Sequence, residues 1–221
     1  MKTRTKALGA ALAATLALSS AATASASELH SGSGSGTTYL TTAQIGTHQL
    51  DTEGGNIKWT TSGGSGSYAG TTTSSVKLYP TYSGCTAYGL TAHIDTMGCY
   101  YRLQGTFSPI LPVTFVECPT TAGGVTDEIT VSPTQGGKPV CTVEIPEQEL
   151  GTWIFNSTFG TPDDVEVRPA LSSLYRVTYS EGGGIKCGVV GTHSDGRYTG
   201  AHTLRAFSNS GHSAQVDLTY F

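Results

Sequence analysis

Short runs of alternating apolar and polar residues, each cut off by glycine, proline or serine, constrain the fold of this chain more than any other feature. Val76 and Leu78, continued by Pro80 and Tyr82, alternate with polar neighbours. Leu90, Ala92 and Ile94 do the same before Gly98, and Val113, Phe115 and Glu117 oppose Thr114 and Val116. Runs of the same type recur at 128–132, 140–145, 174–179, 185–190, 202–207 and 214–220. β-branched and aromatic residues fill them, and 29 glycines punctuate the chain. A period of two without a sustained period of 3.6 predicts an all-β fold, a β-sandwich or Greek-key barrel-like architecture. Only PEQELG, 146–151, reads as helical, and it is barely a turn long.

The first residues place Lys2, Arg4 and Lys6 before the apolar run ALGAALAATLAL, which leads into small residues ending at Ala24, Ser25 and Ala26. These are the parts of a cleavable secretory signal over 1–26. The signal holds three of the 12 basic residues and none of the 16 acidic ones, so the mature chain carries a net charge of −7. That balance argues against nucleic acid as a partner, because a phosphate-backbone binder needs a basic stripe. The next apolar stretch, Phe107 to Val116, is interrupted by Pro109 and Pro112, so no membrane span is expected. A secreted, extracellular monomer is expected. Residues 27–37 are Gly/Ser-rich and read as a flexible lead-in to a β domain over 38–221, with order from about Tyr39 and similar sub-units at 38–117 and 118–221.

In an oxidising compartment the five cysteines form a covalent framework, and the odd number leaves one thiol over. Cys99, Cys118, Cys141 and Cys187 are the disulfide candidates and Cys85 the free thiol. Cys99 and Cys118 could meet at the open end of a hairpin, while a Cys118–Cys141 bridge would close a Gly-rich loop and competes for the same residue. An internal echo bears on the odd count. Thr52 to Trp59 parallels Ser180 to Cys187, and Ser67-Tyr68-Ala69-Gly70 parallels Arg197-Tyr198-Thr199-Gly200. Trp59 therefore stands where the second copy has cysteine, and the thiol left over is the partner of a bridge that position 59 no longer makes.

The run Pro80 to Gly89 with Cys85 at its centre, followed by Met97-Gly98-Cys99, resembles a segment of uncharacterised secreted proteins of high-GC Gram-positive bacteria. Gly184 to Cys187 and Gly196 to Gly200 resemble that group's second landmark. The resemblance spans most of 40–220 and implies a secreted location and a β-rich, Cys-containing fold, without an activity. In that group the position of Trp59 is usually Cys, so the chain departs from the pattern there.

No residue cluster has the spacing of an active site. His193, His202 and His212 are nine and ten residues apart and lack the short-spaced pair that zinc sites use, so no metal or cofactor is expected. His193-Ser194-Asp195 contains the residue types of a hydrolase triad, but chain neighbours cannot line up nucleophile, base and orienter. With Gly196 following, the segment reads as a turn. Asp163, Asp164 and Glu166, and the acids from Glu144 to Glu149, lack a calcium-loop pattern. Tyrosines supply the binding signal: Tyr79, Tyr82 and Tyr88, near Tyr100 and Tyr101, are the ligand-binding candidates. The reading is a non-catalytic extracellular or cell-envelope binding or structural domain, with cell-wall or extracellular polysaccharide as partner. The alternative is a small extracellular hydrolase acting on polysaccharide, which needs two carboxyls facing each other across a cleft.

Overall fold

The structure, a computed structural model, describes residues 28–32, 36–104, 113–156, 164–169, 174–181, 187 and 190–220. The signal segment, residues 105–112 of the proline-interrupted run, Asp163 and most of 185–190 lie outside them. All the regular structure described is β, and no helix occurs among the described residues.

The strands begin with β1 (Leu29–Ser31), β2 (Thr37–Thr52), β3 (Gly55–Trp59), β4 (Thr61–Ala69), β5 (Thr72–Thr73), β6 (Ser75–Ser83) and β7 (Thr86–Ala87). They continue with β8 (Leu90–Asp95), β9 (Tyr100–Gln104), β10 (Val113–Glu117), β11 (Ile129–Gln135), β12 (Lys138–Pro139) and β13 (Cys141–Ile145). The last are β14 (Gln148–Asn156), β15 (Asp164–Pro169), β16 (Leu174–Glu181), β17 (Gly191–Phe207), β18 (Gln215–Val216) and β19 (Leu218–Tyr220).

Two long strands organise the rest. β2 and β17 pair antiparallel from Asp51↔Arg197 to Tyr39↔Phe207, with a register shift between Thr199 and Ala201. Both strands carry a positive-φ glycine at this level, Gly46 (71°) and Gly200 (157°). On one side of the bend, hydrogen-bonded neighbours run β17–β2–β3–β7–β8–β11–β13–β16 and return to β17. On the other side they run β17–β2–β4–β6–β9–β10–β14–β15 and again return to β17. The molecule is thus built from two closed antiparallel rings sharing the β2/β17 ladder, and closure leaves neither ring with a free sheet edge. Each ring draws strands from both 38–117 and 118–221.

Side-chain alternation divides inside from outside. In β6, Val76 and Leu78 are buried while Lys77 and Tyr79 are exposed; in β13, Cys141, Val143 and Ile145 are buried. The first ring, beyond Gly46, encloses Leu50, Ile57, Ile94, Ile129, Val131 and Ile145. Polar residues outside and apolar residues inside invert the pattern of a lipid-facing barrel.

Two sequence expectations need correction. The lead-in is not flexible throughout: Leu29–Ser31 pairs with both β19 and β5, and Leu29 is fully buried. One apolar side chain with a prepared slot outweighs the Gly/Ser composition around it, and the Ser31 and Thr38 hydroxyls add a hydrogen bond of 2.7 Å. PEQELG is not helical, since β14 starts at Gln148 and Phe115↔Glu149 lies in its ladder with β10. Six residues of helix propensity cannot nucleate a helix where β10 offers a strand partner.

Cys99 is bonded to Cys118 and Cys141 to Cys187, and Cys85 is a buried free thiol. The first bridge extends the β9/β10 ladder beyond Glu117↔Tyr100 and closes the open end of that hairpin. The second ties the segment after β16 to β13. The register Ile57↔Ala87, Lys58↔Thr86 extends to place Trp59 opposite Cys85, and both are buried.

Candidate functional site

The tyrosine candidates separate into three environments. Tyr79 is 46% exposed on the outward face of β6, with its ring 5.4 Å from that of Tyr100. Tyr82, three residues on, points inward and shares a hydroxyl–hydroxyl hydrogen bond of 2.8 Å with Tyr101. Tyr88 occupies the turn after β7 at φ 56°, its hydroxyl 3.0 Å from that of Thr52, and so closes the β2–β3 hairpin. The period of two makes this separation of Tyr79 from Tyr82 unavoidable in a strand.

Around Tyr79 the surface forms a groove of about 400 Å³. Its floor is β4, whose outward side chains here are Ser65 and Ser67, so nothing rises between the strands on either side. Tyr79 and Lys77 form one wall, with the Lys77 ammonium 4.6 Å above the Tyr100 ring. Tyr39 and His212 form the other, their rings 6.4 Å apart edge to face. This is a shallow cleft with aromatic walls, hydroxyls below and one cation at the rim.

The inside of the second ring is of a different kind. A layer formed by Trp59, Tyr82, Tyr101 and Tyr198 separates its interior from that of the first ring. Tyr198 lies between the two tryptophans, 6.0 Å from each and close to parallel with both. Beyond this layer is a cavity of about 40 Å³ to which all eight strands of the ring contribute. It remains open because β4 presents Ser62 and Gly64 inward where a larger residue would fill it.

His48, fully buried, and His202 meet beside the cavity, ring centroids 4.4 Å apart. His48 Nε2 lies 2.7 Å from the Ala201 carbonyl, which can only accept, so Nε2 carries the proton. Nδ1 then accepts from the Tyr198 hydroxyl at 2.7 Å. The Tyr198 oxygen is in turn 3.4 Å from His202 Nε2. Burial lowers the pKa of both imidazoles, that of His202 to about 3 with a further contribution from His48, so both are neutral at pH 7. Sequence reasoning grouped His202 with His193 and His212. The structure pairs it with His48, 154 positions earlier in the chain, through the β2/β17 ladder.

The remaining candidates do not converge. His193 lies beside Tyr179, ring centroids 5.7 Å apart and tilted, in the first ring, and His212 lies beside Phe207 at the far end of the second. No group of three metal-ligating side chains occurs among the described residues. The segment His193-Ser194-Asp195-Gly196 is not a turn but part of β17, because β16 pairs with it from Thr192 to Arg197. Asp195 accepts from the Tyr179 hydroxyl at 2.7 Å and from the Glu53 amide at 2.8 Å, which fastens the β2–β3 turn to β16 and β17. Asp164 is held by both arms of Arg205, at 2.8 and 2.7 Å, with Gln215 at 3.0 Å, and its pKa is lowered chiefly by the Arg205 hydrogen bonds. Glu166 faces Arg168. Burial, then Glu144, raises the pKa of Glu128 while Arg176 opposes, but neither acid lines the groove or the interior cavities.

Comparison with protein-family models, with curated proteins and with solved structures finds no match.

Proposed function

We propose that this chain is a secreted, non-catalytic binding domain whose groove over β4 takes an extracellular or cell-wall polysaccharide. The observation that carries the reading is the combination of aromatic walls, Tyr79 and Tyr39, with the Ser65 and Ser67 hydroxyls between them. Sugar rings offer apolar faces to such walls and hydroxyls to such a floor. Two disulfides support an oxidising, extracellular location, and a mature charge of −7 keeps polyanions away.

The hydrolase alternative requires two carboxyls, or a histidine and a carboxyl, across a cleft. Glu144, Asp164 and the late histidines stand in separate environments, which favours binding without catalysis. The test is retention of the mature chain on immobilised cell-wall polymers and on neutral polysaccharides, with Tyr79→Ala as control. Retention that falls several-fold in the variant supports the reading. No retention on any polymer, or equal retention by the variant, refutes it.

A further inference from the structure

The interior of the second ring contains more polar atoms than the protein satisfies. Trp59 Nε1, Trp153 Nε1, Ser62 Oγ, Thr114 Oγ1 and His202 Nδ1 are all buried and have no hydrogen-bond partner among the described residues. All five residues line the same cavity of about 40 Å³. Four of them are more than nine-tenths buried, with exposures of 7% for Trp59, 6% for Trp153, 3% for Ser62 and 0% for Thr114. A buried polar group without a partner opposes folding, so five around one space are not incidental.

From these atoms we infer that the second ring is a binding site for a small neutral ring compound carrying an acceptor oxygen and a donor hydrogen. The two indoles can only donate, so the ligand must accept. His202 can only accept at Nδ1: its Nε2 faces the Tyr198 oxygen, whose own proton goes to His48. The ligand must therefore also donate. Ser62 and Thr114 can serve either role. No Lys, Arg, Asp or Glu lines the cavity, so a charged ligand would be buried without a counter-ion. Size sets the upper limit. The 40 Å³, once a water's own radius is added around it, becomes an envelope of roughly 180 Å³, suited to a six-membered ring. Trp59, Trp153, Tyr82, Tyr101 and Tyr198 supply faces and edges for stacking.

Entry to the cavity is assigned to the wall between β2 and β4. The β2/β4 ladder ends at Ala43↔Gly63, and β2 pairs with β3 only from His48. A second surface depression lies over this interval and shares Thr42, Ser62 and Gly63 with the cavity wall. The site is separate from the polysaccharide groove and does not depend on it.

Phenol is a neutral six-membered ring with both required groups. Both tryptophans of the chain line the cavity, so their emission reports occupancy without a label. Titration of the mature chain with phenol should change the emission saturably. Benzene, which fills the space but satisfies nothing, should bind at least tenfold more weakly, and benzoate should not bind. Thr114→Val keeps the shape, removes the hydroxyl and should weaken phenol about fivefold; Ser62→Ala, on β4, should act in the same direction. No saturable change with phenol, with the cavity then holding water alone, overturns the inference. So does benzoate binding as well as phenol, or phenol affinity unchanged in both variants.

Discussion

Mild acid should destabilise this protein, and His202 is the group chiefly responsible. An unfolded histidine titrates near 6.5, whereas folded His202 is held down to about 3. Between those values the unfolded state binds the extra proton and the folded state does not, so stability rises with pH. The contribution is fully present above pH 6.5 and is lost as pH falls towards 3. Each pH unit below 6.5 costs about 1.4 kcal/mol, or about 2 kcal/mol at pH 5 from His202 alone. His48, shifted in the same direction by burial, adds to the loss. Protonating its Nδ1 would set a second donor against the Tyr198 hydroxyl. For a domain of this size 2 kcal/mol corresponds to a fall in Tm of roughly 4–8 °C. Thermal unfolding followed by circular dichroism between pH 7 and pH 5 measures it. His202→Gln should lower Tm at pH 7 but reduce the fall between pH 7 and pH 5 by about half. A flat wild-type profile over that range, or an equal fall in the variant, would refute the reasoning. Asp164 also loses its contribution on acidification, since its pKa is lowered by Arg205, but only below about pH 4.

Removing Cys141–Cys187, which spans 46 residues, should cost about 4 kcal/mol in urea unfolding, against about 3 for Cys99–Cys118, which spans 19. The opposite order would show that strain or residual structure outweighs chain entropy. Trp59→Cys should bond to Cys85 and abolish the single thiol that titrates in denaturant; two thiols titrating instead would disprove the extended register. Gly66→Ala should destabilise by about 1–3 kcal/mol, because a Cβ there would overlap the Lys77 carbonyl oxygen on β6. An unchanged Tm would mean that the two strands are less tightly apposed than their geometry indicates.

Some elements were readable because their signal is local. Val76–Tyr82, Leu90–Ile94 and Cys141–Ile145 alternate, and each forms a strand. β4 was not readable. The segment TSGGSGSYA has almost no apolar content and would read as linker, yet it pairs with β2 on one edge and β6 on the other. Its glycines are required by that close approach, which only the neighbouring strands reveal. β2 was hidden for a related reason, since its burial pattern breaks where the strand bends at Gly46. The aromatic supply was visible in composition, but the division of Tyr79 to the groove and Tyr82 to the interior depends on which face of β6 is inward. The pairing of His48 with His202 carried no local signal.

The chain by itself determined that it would be all-β and that five cysteines would leave one over, because strand periodicity and residue counts do not depend on where distant segments meet. Tertiary structure decided the rest: that the strands close into two rings, that these share one bent ladder, and that β4 leaves space inside the second. A closed ring is a property of long-range pairing. The five buried polar atoms come from five different strands, and only closure brings them around one cavity.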